Sequence, residues 1–578
     1  MPESNYLEKL NEQQRAAVVH EGSPLLILAG AGSGKTRVIT TKIAYLIKEK
    51  HIDPWTILSV TFTKKAANEM QERAVALEPT AADAQIRTFH SFGSWFLRKY
   101  AEYAGVDPNF TVYDDDDMAT IVKKVEPSLS SKEIRTAVKQ ISLAKDYCLK
   151  PDDDLGMIGS EFDLNDIYDK YQKRLHATGN ADFGDLIMLP VQILEAYSDI
   201  ADYIHNRFKV IMVDEYQDSN IAQYRLLQNL SGTKQGSDTY VCVVGDDDQS
   251  IYKFRGAEVE NILTFPEKFP GTEIIKLERN YRSTSSILNA ASLVVKKNHH
   301  GQLEKTLIAD REGGGKPVLA FLPDQNAEAT FVADLVMKSL AGGAKYSDWA
   351  VLYRTNAQSL GFEKEFLHRK IPYVVVGSLK FYEREEIKDA LAYISFCANH
   401  KDEISFRRII NKPPRGIGEK TQDKLMEKAV TLTPDGTPVF SDLLENLRTN
   451  QTELSKKAAE GAAAFIKLFE TLSGCFNEDK PLSDFIERVI RDSNLDEYHR
   501  AGDEIEGTTR VQNLQELVNT AVPYKCTMEG LLQFLDAINL DRTLDAENQA
   551  VGDNAVTLMT LHNTKGLEYN TVNITGLE

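Results

Sequence analysis

Residues Leu25-Leu26-Ile27-Leu28-Ala29-Gly30-Ala31-Gly32-Ser33-Gly34-Lys35-Thr36 constrain the fold more than any other stretch of this 578-residue chain. An apolar run ending in glycines reads as a strand buried on both faces, and such strands belong to parallel α/β sheets. The turn that follows opens a helix, and small residues there let backbone N–H groups converge on an anion at the helix N-terminus. Ala29, Gly30, Ala31, Gly32, Ser33 and Gly34 form that cradle, with Ala29 where the phosphate-loop pattern has a glycine. Lys35 is then placed to bridge β- and γ-phosphates, Thr36 to hold Mg²⁺, and Arg37 to flank the nucleotide. A glycine-rich turn before an ordinary helix is the plain alternative, and it gives Gly34-Lys35-Thr36 no role.

A second apolar run, Phe208 to Val213, ends in Asp214-Glu215-Tyr216-Gln217-Asp218. From the end of a strand the first acid can reach Mg²⁺ and the second a water, which makes Asp214 the metal holder and Glu215 the base. Adjacent acids after a strand are often only a solvated turn; pairing with the phosphate loop favours chemistry.

Further apolar runs at 57–62 and 241–244, then 274–277, 318–321, 350–353, 556–559 and 572–575, predict two parallel α/β sheets. Residues 91–204 and 377–545 are rich in helix formers and poor in β-branched runs, so each reads as a helical insertion. The division expected is 1–90 and 205–278 for a first α/β domain around insertion 91–204, and 279–376 and 546–578 for a second around insertion 377–545. The acidic run Asp114 to Asp117 reads as a helix N-terminus.

Composition, 42% hydrophobic and 26% charged, lies in the globular range and excludes wholesale disorder. No apolar run approaches the ~20 residues of a membrane span, and the first residues lack a signal-peptide pattern, so a cytoplasmic protein without a membrane partner is expected. Five well-separated cysteines read as reduced thiols. With 67 basic and 86 acidic residues the formal charge is −19, so any nucleic acid must bind in a locally basic or aromatic groove.

Further segments carry a resemblance. Leu10-Asn11-Glu12-Gln13-Gln14, Val60 to Met70, Thr88-Phe89-His90-Ser91, Val244 to Ala257, Leu277 to Ser283, Tyr353 to Ser359, Asn411 to Gly418 and Thr557 to Glu568 resemble, in order, the motifs of superfamily-one DNA helicases of the UvrD, Rep and PcrA group. The resemblance implies two RecA-like motor domains, each with a mainly helical insertion, and an enzyme that uses ATP and Mg²⁺ to walk on single-stranded DNA and unwind duplex in the 3′ to 5′ direction. It implies that Gln14 reads adenine, that Tyr281 stacks on it, that Gln249 and Arg282 meet the γ-phosphate, and that Glu568 holds the ribose. Phe62, Thr63, His90, Tyr252, Phe254, Arg255, Arg354, Asn356, Thr560 and His562 are the implied single-strand contacts, and Gly416 and Gly418 the implied duplex contact. The group usually has tryptophan at Phe254; stacking contributes ~1–3 kcal/mol per base, so a weaker contact is expected there.

In the group a further motif with a completing arginine, and a strand-separating aromatic pin, follow the segment ending at Glu568. The expectation is therefore an incomplete second motor domain, with an ATP-binding DNA clamp of little turnover as the alternative to a working motor. A metabolic kinase sharing only the phosphate loop does not account for Gln249 to Ala257, and a helicase-nuclease subunit would need a carboxylate and lysine cluster not seen here. Implied partners are single-stranded DNA and its junctions with duplex, replication or repair proteins, and further copies on DNA.

Overall fold

The computed structural model describes residues 6–159, 162–232, 236–253, 256–297, 303–376, 381–433, 438–506, 510–541 and 554–577. Strands β1 (Leu25–Ala29), β2 (Ile57–Thr61), β3 (Gln85–Thr88), β4 (Val210–Val213), β5 (Tyr240–Gly245) and β6 (Glu273–Leu277) form one parallel sheet in the order β3-β2-β4-β5-β1-β6. Every residue of β1, β2 and β4 is buried, as strands covered by helices on both faces must be. Two apolar layers enclose the sheet, one around Val38, Ile43 and Met212, the other around Phe92, Leu186 and Ile211. The run at 274–277 thus closes the first sheet, with Ile274 opposite Leu26.

The chain crosses to the second α/β unit through β7 (Arg279–Thr284), which pairs with β8 (Ile308–Arg311). Strands β9 (Trp349–Tyr353), β10 (Tyr373–Val375), β11 (Val556–Thr560) and β12 (Thr571–Ile574) form the second parallel sheet, in the order β10-β11-β9-β12. The strand expected at 318–321 is absent: these residues take no regular structure, and Val318 and Phe321 are each 90% exposed. A short apolar run proposes a strand, but only a paired neighbour satisfies its backbone groups.

Between the sheet strands lie helices. The first set, from Asp115–Val125 to Leu164–Ala177, packs its own core around Met118, Val138 and Tyr171. Asp114 caps its opening helix in a reciprocal capping box with Asp117. The second set, from Glu385–Ala398 to Met528–Asp541, buries the largest core among the described residues, around Phe396, Phe465 and Phe485. The two sets meet through polar contacts: Arg174 donates to Glu403 at 2.7 Å and the Tyr113 hydroxyl to Asp402 at 2.7 Å. Arg98 and Ser94 grip Asp536 at 2.7 Å each. No described helix is long and apolar enough to cross a membrane, and all five cysteines are free thiols.

Candidate functional site

The phosphate loop joins β1 to helix Lys35–Lys48. Gly32 and Gly34 hold φ of +64° and +88°, left-handed values that a side chain resists, and this curls the backbone around the helix N-terminus. Ala29, the last strand residue, is buried, and the amide of Gly30 donates to the Leu277 carbonyl at 3.3 Å. The amide of Ser33 reaches the Gly30 carbonyl at 3.2 Å, while the Ser33 hydroxyl is buried with no protein partner. Thr36 lies in the first helical turn, and Arg37 donates to the Lys9 carbonyl at 2.8 Å.

Gln14 closes a capping box on Asn11 and gives its amide N–H to the Ser33 carbonyl at 2.9 Å. Helix Glu12–Val19 is thereby fastened to the loop, and the end of that helix is capped in turn by Lys42, which donates to the carbonyls of Ala17, Val18 and His20.

Asp214 and Glu215 follow β4 beside the loop, and Glu215 adopts φ +50°, ψ +39°, a strained conformation for a residue with a side chain. Lys35 Nζ is 3.0 Å from Glu215 Oε2, and the same oxygen accepts from the Gln217 amide at 2.7 Å. Burial and the neighbouring Glu215 carboxylate push Asp214 upward. Burial pulls Glu215 upward too, but Lys35 and Lys565 outweigh it and hold that carboxylate well below the usual range. The Gln217 side-chain Oε1 accepts from the Asp246 backbone N–H at 3.0 Å, tying this turn to the Gln249 segment, where the Gln249 side-chain amide donates to the Asp246 carboxylate.

The second unit faces this cleft. Tyr281 N–H donates to the Gly32 carbonyl at 2.9 Å, and the Tyr281 hydroxyl accepts from Asn11 at 2.8 Å. Arg282 Nε donates to Glu568 Oε2 at 2.9 Å, so two implied nucleotide residues hold each other. Lys305 places its ammonium between Asp246 (2.8 Å), Asp247 (2.6 Å) and Asp248 (2.6 Å).

The implied strand contacts cluster at the C-terminal ends of parallel strands, the edge where open α/β sheets bind ligands. Phe62 and Thr63 follow β2, His90 opens the helix after β3, Arg354 and Asn356 follow β9, and Thr560 and His562 follow β11. Phe62 meets Phe89 edge-on at 5.7 Å, while Thr63 caps helix Lys64–Leu77 through its hydroxyl. Burial lowers His90 to about 4, leaving a neutral ring near pH 7. The Tyr252 hydroxyl donates to the His562 carbonyl at 3.1 Å, and Arg354 Nη1 lies 3.5 Å from His562 Nδ1. Phe254 and Arg255 lie outside the described residues. Gly416 and Gly418 belong to the second helical set, where Asn411 accepts from the amides of Arg415 (2.8 Å) and Ile417 (3.2 Å) and shapes the loop. Gly418 also caps helix Glu419–Ala429, the plain role open to that turn.

Two family models match in tandem: the UvrD/REP helicase N-terminal domain over residues 10–270 and the UvrD-like helicase C-terminal domain over residues 275–578. The chain belongs to the UvrD/Rep helicase family. Among curated members, "ATP-dependent DNA helicase PcrA" of Bacillus subtilis is 38% identical over 99% of this chain and 78% of its own length. "ATP-dependent DNA helicase UvrD1" of Mycobacterium tuberculosis is 39% identical over 100% of this chain and 78% of its own length. PcrA of Staphylococcus aureus is 37% identical over 99% and 78%.

Within this UvrD/Rep-type cleft the structure adds residues to which the sequence reading gave no part. Gln217, Asn280, Lys305 and Lys565 bind the phosphate-loop and acid segments to one another or to the second unit. Three of them lay inside quoted motifs, but nothing in their spacing disclosed a partner. The cleft suits Mg-nucleotide: an unpartnered buried Ser33 hydroxyl, a glycine cradle and a carboxylate at Asp214 provide the donors and acceptors that a triphosphate and its cation require.

Proposed function

We propose that the chain is an ATP-dependent DNA helicase that binds single-stranded DNA and its junctions with duplex and unwinds with 3′ to 5′ polarity, in repair or replication restart in the cytoplasm. Residues 1–90 with 205–278 and residues 279–376 with 546–578 are its two motor domains, and 91–204 and 377–545 their insertions. The observation that carries this reading is the meeting of both motors at one acid pair: Lys35 from the phosphate loop and Lys565 from the second motor both reach Glu215, at 3.0 and 3.9 Å.

In this reading Gln14 and Tyr281 border the base, Gly30 to Gly34 offer backbone N–H groups to the phosphates, and Lys35 leaves Glu215 to pair with the β and γ groups. Thr36 and Asp214 hold Mg²⁺, which when bound neutralises charge on the phosphate oxygens. Glu215, relieved of Lys35, is free to orient the attacking water, while Gln249 and Arg282 report the γ-phosphate to the two motors. Tyr252 bridges the motors through its hydrogen bond to His562, so relative motion of the two is felt where DNA stacks.

The test is ATP hydrolysis with and without a single-stranded oligonucleotide, beside Lys35→Ala. Strong stimulation by the strand, abolished in the variant, supports the motor. Nucleotide binding with no strand-stimulated turnover refutes it in favour of an ATP-dependent clamp.

A further inference from the structure

The first α/β unit carries a run of aromatic rings on the edge of its sheet opposite the phosphate loop. Trp55 lies in the short turn Pro54–Thr56 that leads into β2, and Arg207 ends helix Ser198–Arg207, which leads into β4. Both sit at the N-terminal ends of parallel strands, whereas Phe62, Thr63, Asp214 and Glu215 follow the C-terminal ends. The five residues of β2 put ~17 Å between the two edges.

The Arg207 guanidinium lies 3.5 Å from the centre of the Trp55 ring. One helical turn earlier Tyr203 shares its face, and the Lys99 ammonium is 4.0 Å from the Tyr203 ring centre and 5.3 Å from that of Tyr100. Tyr100 lies 6.3 Å from Tyr103, which meets Tyr197 edge-on at 4.8 Å. Trp55 is 56% exposed, Tyr203 48%, and Tyr103 and Tyr197 39% each. Single exposed rings are ordinary on a protein surface, but a contiguous run of them marks an interaction site. Its floor is fixed, because Tyr100 packs on the buried Phe96 at 4.8 Å and Trp95 packs on the buried Phe208 at 6.4 Å. Rings held in advance lose little entropy on binding, and Trp, Tyr and Arg dominate the energy of interfaces.

We propose that this band is a docking surface for an extended, proline-rich peptide segment with basic flanks, carried by a partner protein. Ring chemistry selects proline: a polyproline II segment is extended before it binds, and its pyrrolidine faces lie flat on aromatic rings. Prolines one turn apart are separated by ~9 Å, and the steps from Tyr100 through Tyr103 to Tyr197 bring the outer rings within that reach. Charge selects the flanks. Both cations of the band are held over rings, and Arg207 Nη1 is buried without a hydrogen-bond partner. The exposed Asp53 interacts electrostatically with Arg207, and the exposed Asp199 with Tyr100, so a carboxylate borders each half of the band. A single-stranded nucleic acid would meet these acids and a chain of formal charge −19, whereas a basic peptide is attracted by both. The surface lies clear of the implied strand contacts, so peptide and DNA do not compete for it.

A displayed peptide library with a fixed Pro-x-x-Pro core and random flanks is selected on the full chain, and the most enriched peptide is labelled and titrated by fluorescence anisotropy. Arginine and lysine are expected to dominate the enriched flanks. Trp55→Ala and Tyr203→Ala are each expected to weaken binding by about tenfold or more, and Asp199→Asn by about two- to fivefold. Strand-stimulated ATP turnover of all three variants is expected to match the parent. Should either ring variant fail a thermal-melt check of folding, Tyr103→Ala carries the same comparison.

No enrichment, enriched flanks that are neutral or acidic, or a peptide bound equally by the parent and both ring variants overturns the proposal. So does a labelled single-stranded oligonucleotide whose affinity falls about tenfold in Trp55→Ala and Tyr203→Ala while the peptide is unaffected, the mark of a nucleic-acid track. A dimer of the parent in sedimentation that both ring variants dissolve overturns it in favour of self-association. Peptide binding needs neither nucleotide nor strand, so the outcome is independent of whether the chain hydrolyses ATP.

Discussion

Replacing Lys305 by methionine keeps the length of the side chain and removes the one charge that Asp246, Asp247 and Asp248 share. Their carboxylate oxygens lie within 4.8 Å of one another, the geometry of a cation site, and the lysine ammonium stands at its centre, 3% exposed. At an effective dielectric of about 20, each carboxylate pair at that separation repels by about 3.5 kcal/mol, and each contact to the ammonium returns about 6 kcal/mol. Without the lysine the cluster escapes repulsion by taking up a proton. At pH 7.5 that costs about 5 kcal/mol for an aspartate with an ordinary value near ~3.9, and at pH 5 only about 1.5 kcal/mol. Lys305→Met is therefore expected to destabilise the first motor by ~3–5 kcal/mol at pH 7.5, on the order of 10 °C in melting temperature, and by much less at pH 5. Thermal melts of parent and variant at both pH values measure this. A variant that melts within 1–2 °C (roughly 0.5 kcal/mol) of the parent at pH 7.5, or with a deficit equal at both pH values, would refute the reasoning.

Glu215→Gln keeps the shape of the proposed base and removes its charge; turnover should fall on the order of 10² to 10⁴-fold, while binding of a fluorescent nucleotide persists. Gly32→Ala places a methyl group 2.6 Å from Arg282 Cβ at a φ of +64°, and left-handed backbone alone costs ~1–2 kcal/mol, so nucleotide affinity should drop about tenfold or more in a titration. Asp146 accepts from Asn220 at 2.7 Å, and burial raises it to about 7. Between its unfolded value near ~3.9 and 7 the folded state holds the extra proton, so its contribution to stability falls as pH rises through this window and is flat above it. Asp146→Asn should then melt higher than the parent at pH 8, by about 2–4 kcal/mol after allowance for its partial exposure, with the gain vanishing near pH 4.

The glycine loop and the acid pair of the proposed nucleotide site were legible because their pattern is contiguous. The phosphate loop needs strand, glycines, lysine and hydroxyl in unbroken order, and Asp214-Glu215 needs only the end of a buried strand. Local patterning likewise disclosed the helix start at Asp114 and the apolar runs of both sheets. Where a pattern depends on a neighbour it misled: 318–321 has the composition of a strand and no partner, whereas Gln85–Thr88, with a mixed sequence, pairs along its length with β2.

The sequence by itself determined which side chains the proposed phosphate and Mg²⁺ sites can draw on, since that reading needs only residue type and a spacing of a few bonds. Only the tertiary structure decided which charges face one another. Lys305 comes within 2.6 Å of Asp247 across 58 residues, and Lys565 reaches Asp218 across 347. Electrostatic interaction depends on separation in space and on exclusion of water, and neither is encoded in the distance along the chain.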